Sequence, residues 1–423
     1  MLDRLTAPAF KEINNVDFIQ TKKQVLKNNI PVWVLNAGDQ ELVRIEFIFN
    51  NVDWDINNPL LASATNAMLN DGTASRSGAQ IADAIDFYGA FLQTEYGYDH
   101  AVVTLFTLNK YIANTLPIVK DILCNSVFPQ KDVETFINNN KQKLKVSLEK
   151  NDFLARREFN NVLFGNNLYG YKATESDFDK LKTEDLQAYF KKAYHPQNCT
   201  IFISGRVGET LFNTVENLFG DWESSTSFTE NKLVFTPNQN KFHLIEKPNA
   251  LQSAIRLGIQ SINRNHPDFA AMQVLNTVFG GYFGSRLMTN IREDKGYTYG
   301  ISSGNATMAQ AGYFVIAAEV GVDVCQNTLT EIEFEINRLK TELIPDEELT
   351  LVKNYLMGSL LGSLENAFSH ADKFKNIYFY GLGYDYFDNY INTIKTITAP
   401  DLMKLANKYW DWDDFYKVVV GKG

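Results

Sequence analysis

Residues 25–51 read VLKNNIPVWVLNAGDQELVRIEFIFNN. Apolar and polar side chains alternate through this stretch, and Asn/Pro and Asn-Ala-Gly-Asp clusters interrupt it, which predicts two or three β segments joined by turns. A sheet begins here. The helix predicted next covers LLASATNAML at 60–69, with Asn58 and Pro59 as N-cap and first-turn residues and Asn70-Asp71-Gly72 as its end. Ser77 to Gln80 forms a capping box for a second helix that stops at Gly89, after which FLQTEYGYDHAVVTLFTL at 91–108 returns to strand character. Helices are expected over 110–126, 131–149 and 151–163, and another from Asp185-Leu186 leads to the strand CTIFISG, which ends at Gly205.

The order of elements recurs. FHLIEK, a turn at Pro248-Asn249 and SAIRLGIQSI repeat the first strand pair; FAAMQVLNTVFGG at 269–281 repeats the first helix; GYFVIAAEV at 312–320 repeats the strand after it. Asp401-Leu402 precedes Gly421 by 20 residues, as Asp185-Leu186 precedes Gly205. These parallels predict an α+β protein of two homologous domains, a duplicated unit of about 210 residues, each an antiparallel-rich sheet packed with helices. The polar stretch DWESSTSFTENKLVFTPNQNK separates them, so the expected division is 1–224, a linker at 225–240, and 241–423.

Composition agrees with a folded chain of more than one domain: 423 residues, 45% hydrophobic and 21% charged. The net charge of −10 and the lack of any long Lys/Arg run exclude an electrostatic grip on nucleic acid or anionic lipid. The opening MLDRLTAPAFKEINN lacks a basic end followed by an apolar run, and no stretch reaches membrane-spanning length, so no membrane partner and a cytoplasmic location are expected. Cys124, Cys199 and Cys325 are widely spaced and read as free thiols. His100, His195, His243, His266 and His370 never fall at helical metal-binding spacing, so no metal is expected in this chain.

The densest local chemistry lies in FGGYFGSRLMTNIREDKGYTYG, residues 279–300. Gly280, Gly281 and Gly284 allow close backbone approach, Ser285 is suited to cap a short helix with Leu287, Met288 and Ile291 inward, and Gly296 to end it. Arg292 and Tyr299 then flank a tight turn, where a guanidinium and a phenol can share one developing anion. The plainer alternative pairs Arg292 with Glu293 or Asp294 and sinks Tyr299 halfway into the core.

These residues resemble the pitrilysin/insulinase-type zinc peptidases, in the branch that holds the mitochondrial processing peptidase and its bacterial relatives, across essentially the whole chain. The match is strongest at SRL…IRE-x-x-G-x-x-Y, here Ser285, Arg286, Leu287, Ile291, Arg292, Glu293, Gly296 and Tyr299. The resemblance implies that Arg292 and Tyr299 are catalytic, reaching the substrate carbonyl, and that Gly280, Gly281 and Tyr282 lie where a longer glycine-rich loop handles substrate. It also sets LLASATNAMLNDGT at 60–73 against the family's zinc helix, where Ser63, Asn66 and Ala67 replace the H-x-x-E-H residues. A hydroxyl, an amide and a methyl group supply neither the ligands nor the base of a zinc peptidase. Around Gln142, where the third ligand is due, no carboxylate stands.

The resemblance therefore implies no cofactor in this chain and zinc in a partner: a homologous zinc-bearing subunit on which this chain closes as a clamshell, a heterodimer with a short or unfolded peptide as substrate. A homodimer is also possible for the fold, and a structural or peptide-binding role like that of the respiratory-complex core proteins is the alternative. The aromatic run FKNIYFYGLGYDYFDNY at 374–390 is expected in a core or interface rather than a peptide groove.

Overall fold

The computed structural model describes Ile13 and residues 15–208, 210–223 and 227–422. Most of the opening stretch read for a leader, and residues 225 and 226 of the linker, lie outside them. The first sheet has six strands: β1 (Lys22–Val25), β2 (Pro31–Asn36), β3 (Leu42–Asn50), β4 (Phe91–Tyr96), β5 (His100–Leu108) and β6 (Cys199–Gly205), in the order β1-β2-β6-β3-β5-β4. The second has β7 (Phe242–Glu246), β8 (Gln252–Ser261), β9 (Thr298–Thr307), β10 (Gly312–Gly321) and β11 (Tyr416–Gly421), in the order β7-β11-β8-β10-β9. With β1 set aside the two orders correspond strand for strand, including one parallel pair in each, β2 with β6 and β7 with β11.

The glycines paired by spacing mark the same corner of both sheets. Gly205 and Gly421 have φ of 117° and 140°, where a Cβ atom would stand 2.3 Å from the Leu42 carbonyl oxygen or 2.6 Å from Ser253 Oγ. Only glycine fits such a close approach without strain. Three residues before each glycine, Phe202 pairs with Glu46 and Val418 pairs with Arg256, so Glu46 and Arg256 occupy matching places.

Those two residues hold helices that cross between the halves. The helix Asn151–Phe164 packs on β8 and β11 of the second sheet, where Arg256 ion-pairs with Asp152 and Phe159, Val162 and Leu163 bury against Tyr416 and Val418. The helix Ala367–Tyr378 packs on β2 and β6 of the first sheet, where Lys375 donates to Glu46 at 2.6 Å and Phe374 and Ile377 bury against Ile48 and Phe202. Each half thus covers a face of the other's sheet, with the polarity of the ion pair reversed.

The segment before β1 crosses between the halves as well. Val16 belongs to the second core, Phe18 stacks on Phe387 at 4.2 Å, and the Thr21 amide donates to the Tyr384 hydroxyl at 3.0 Å. The segment before β1 therefore packs with the second half. The linker is also less free than its composition implies: Asn231 donates to the Asn51 carbonyl at 2.9 Å, and Leu233 and Phe235 lie on the cluster around Phe164. As expected from the aromatic run at 374–390, Phe374, Ile377 and Phe387 form an interface between halves.

The first helix is shorter than its sequence implies, covering Leu61–Ala67, and Asn58 does not cap it; the Asn58 side-chain oxygen is buried without a hydrogen-bond partner. Among the described residues no helix is long and apolar enough to cross a membrane.

Candidate functional site

The helix Phe269–Asn276 runs into a π-helical turn, Thr277–Gly281, and a second π-helical stretch, Met288–Asp294, carries Arg292. The wider π turn arises because the Lys295 amide reaches back to the Asn290 carbonyl at 3.1 Å. Such irregular turns cost hydrogen-bond geometry and recur where side chains must be aimed. Leu287, Met288 and Ile291 face the core, as their spacing predicts. Ser285 is not the cap expected of it: its Oγ is buried and unpartnered, and it bonds through its backbone instead, its carbonyl accepting from the Thr289 amide at 2.9 Å and its amide donating to the Tyr282 carbonyl at 3.2 Å.

Neighbouring helices lock the segment through charge. Arg286 donates two hydrogen bonds to Glu348, at 2.8 and 3.0 Å, which ties it to the helix Asp346–Gly362. Asn290 donates to Glu335 at 2.8 Å and Lys295 pairs with Glu331 at 3.1 Å, both on the helix Cys325–Thr341. Gly296 then ends the stretch with φ of 67°, and its amide closes on the Arg292 carbonyl at 3.2 Å. The backbone on which Arg292 sits is held at both ends.

Beyond the turn, β9 is the edge strand of its sheet, and its first residues form a β-bulge. Thr298 pairs with Val320 and Ile301 with Ala318, so Tyr299 and Gly300 together face Glu319. The Thr298 hydroxyl braces the bulge, donating to the Glu319 carbonyl at 2.6 Å and accepting from the Gly300 amide at 3.1 Å. A bulge at a sheet edge turns its side chain away from the pleat. Tyr299 accordingly stands 93% exposed.

Arg292 stays partly exposed, with its guanidinium 4.7 Å from the centre of the Phe283 ring. Neither Glu293 nor Asp294 takes it: among the described residues it makes no ion pair. The plainer alternative, a paired Arg and a half-buried Tyr, is therefore corrected by the structure, since among the described residues neither neighbouring carboxylate pairs with Arg292 and the bulge lifts Tyr299 clear of the core. Phe283, 62% exposed and stacked under Arg292, escaped sequence reasoning. The bulge had a visible signal, a glycine inside a strand pattern.

The glycines differ in role. Gly280 is buried, and a Cβ there would come within 2.5 Å of Ser303 Oγ and 2.9 Å of the Leu287 side chain, so it is a packing position and not a surface open to peptide. Gly281 is exposed, and the Tyr282 ring lies 4.8 Å from that of Tyr355. Burial pushes the Tyr282 phenol above its ordinary range, with the charge of Glu348 adding to the effect.

The helix Leu61–Ala67 packs in the first half, against β4, β5 and the helix Thr183–Ala193. Asn66 is 1% exposed, and its side-chain oxygen accepts from the Tyr194 hydroxyl at 2.9 Å. Burial pushes that phenol far above its ordinary value. Ser63 donates back to the Leu60 carbonyl at 3.0 Å, and Ala67 is exposed. The residues at the motif positions do not fit a zinc ion: the amide is committed to Tyr194, the hydroxyl to its own helix, and the methyl group has no lone pair.

A model of the peptidase M16 inactive domain matches residues 180–356. The chain is 26% identical over 362 residues to "Uncharacterized zinc protease YmxG" of Bacillus subtilis, with 82% of this chain and 84% of that protein covered. It is 22% identical over 372 residues to "Non-peptidase homolog YmxG" of Helicobacter pylori, covering 85% of this chain and 84% of that one. Its fold resembles the crystal structure of a peptidase M16 inactive domain from Pseudomonas fluorescens, with a TM-score of 0.83 at 23% identity over 95% of this chain and 98% of the other.

Proposed function

We propose that the chain is a member of the M16 peptidase family without the zinc-binding residues of the family's motif helix, and that it is the non-zinc subunit of a heterodimeric peptidase. The partner is a homologous H-x-x-E-H subunit on which it closes as a clamshell, in the cytoplasm. One observation carries this reading: Tyr299 is projected from a braced bulge and Arg292 from a locked turn, and among the described residues neither side chain is taken up by a hydrogen bond or ion pair. A residue needed only for packing gains nothing from that arrangement.

In this reading the Arg292 guanidinium and the Tyr299 hydroxyl donate to the oxyanion of the tetrahedral intermediate that forms during peptide hydrolysis at the partner's active site. Preorganised donors act on charge that develops in the transition state and need no rearrangement when it appears. Phe283 holds the guanidinium plane by a cation–π contact, and the bulge holds the phenol. A short or unfolded peptide lies extended along the free edge of β9, with Gly281 and Tyr282 beside its path.

The test is kinetic. With the zinc homologue and this chain mixed at saturation, Arg292→Ala and Tyr299→Phe each lower turnover by about a hundredfold to a thousandfold while the complex still forms on a sizing column. Equal turnover by all three forms would remove both proposed roles.

The name of the Helicobacter relative, non-peptidase homolog, favours a second reading: a catalytically inactive structural or peptide-binding subunit. A stable complex with a zinc homologue that cleaves no member of a peptide library would establish that one instead.

A further inference from the structure

A separate cavity of about 210 Å³ lies among the helices Phe269–Asn276, Asp346–Gly362, Ala367–Tyr378 and Asp385–Thr396. Arg264 and Lys373 both line it, and no Asp or Glu does. Neither cation has a hydrogen bond or ion pair to a described residue, and Arg264 Nε is buried without a partner. In a chain of net charge −10 two unmatched cations on one small cavity call for an explanation.

The nearby carboxylates are already committed. Asp372 takes two hydrogen bonds from Arg44, at 2.8 and 3.1 Å, and pairs with Lys375 at 2.9 Å. Asp268 takes Lys408 and the Tyr409 hydroxyl, both at 2.7 Å. Aromatic rings hold the Arg264 guanidinium instead: its carbon lies 5.8 Å from the ring centre of Phe269 and 5.7 Å from those of Tyr380 and Tyr386. Burial, then the charge of Arg264, hold the Lys373 amine below its ordinary value, and Asp372 offsets this in part. An anion between the two would relieve their repulsion and satisfy their donors.

The remaining wall is mixed: Gln273, Ser359 and Asn376 are polar, while Leu356, Leu360 and Tyr390 form an apolar part, Tyr390 stacked with Tyr386 at an interplanar angle of 3°. An inorganic anion leaves the apolar part of that wall unused, whereas a peptide end presents polar backbone to Gln273, Ser359 and Asn376 and a side chain to Leu356 and Leu360. We infer that the cavity takes a carboxylate carried on a short apolar or aromatic body, and, resting on the peptide-handling reading above, that its source is the free C-terminus of a peptide. The cations receive the carboxylate and the apolar wall receives the last side chain.

Binding is measured on the isolated chain, without its partner, so the result does not depend on catalysis at Arg292 and Tyr299. The probes are a fluorescent peptide ending in Phe with a free carboxylate, the same peptide amidated, hydrocinnamate, and inorganic phosphate. The free-acid peptide binds, the amide binds at least about tenfold more weakly, and Arg264→Gln or Lys373→Met each weaken the free acid by about tenfold, the loss of one charge-assisted contact. Lys373→Arg retains binding, which separates loss of charge from loss of fold. Equal binding of acid and amide, no binding of either, or full binding by folded Arg264→Gln and Lys373→Met would overturn the proposal. Phosphate binding as tightly as the peptide would overturn the apolar part. Hydrocinnamate matching the peptide would overturn the assignment to a peptide terminus.

Discussion

Arg286 and Arg292 stand six positions apart in one segment and have opposite surroundings. Arg286 is buried and doubly bonded to Glu348, so its removal strands a carboxylate at the seam with the helix Asp346–Gly362. Breaking such a pair costs about 3 kcal/mol, and Arg286→Ala is expected to lower the urea midpoint accordingly. Arg292→Ala should stay within about 0.5 kcal/mol of wild type, because it takes away a surface contact only. A reversed order in urea titrations would refute this division of labour. The glycines give a second comparison. Gly296 has positive φ with nothing near a Cβ, so Gly296→Ala costs only the left-handed backbone, about 1 kcal/mol. Gly421→Ala adds a clash with Ser253 and should cost clearly more; matching midpoints for the two variants would refute the close approach. At this scale the sequence was legible for Gly296, which ends its stretch with positive φ as its place predicts, and for the turn that separates Arg292 from Tyr299. It was silent on Phe283, because a cation–π contact leaves no mark in spacing.

The elements that matter most are those that deviate from regularity. Two π-helical turns and one β-bulge place Arg292 and Tyr299, and neither kind of turn follows from apolar periodicity, which reports only which face is inward. The crossing helix Ala367–Tyr378 depends on a charge cluster, with Arg44 between Glu46 at 3.1 Å and Asp372 at 2.8 Å. At Asp372, burial acts to raise the carboxyl pKa, but hydrogen bonds from Arg44 and the charges of Lys375 and Arg44 outweigh it and leave the carboxyl below its ordinary value. A depressed carboxyl contributes stability that is present above its unfolded pKa and lost as pH falls through the folded one. Stability should thus decline on acidification below about pH 4, and Asp372→Asn should flatten that decline while lowering stability at neutral pH. Urea midpoints measured from pH 7 down to pH 3 decide it; parallel curves for the two proteins would show that Asp372 is not part of the acid response.

At the scale of the whole molecule the halves are one cooperative body, because each completes the other. Without the helix Ala367–Tyr378 the first sheet would expose Ile48 and Phe202, and without Asn151–Phe164 the second would expose Val418. Calorimetry on the full chain should show a single transition, and residues 22–224 expressed alone should bind a hydrophobic dye and aggregate. A soluble, dye-silent fragment would refute the exchange. The sequence by itself determined the duplicated order of strands and helices and the two glycines matched by their spacing. Both rest on residue type and local spacing, which a linear chain displays directly. Only the tertiary structure decided that the segment before β1 belongs to the second half, that helices cross between the sheets with reversed ion pairs, and that Arg264 and Lys373 meet around one cavity. Those are contacts between residues up to hundreds of positions apart, and burial and charge pairing across such distances arise only when the chain has folded.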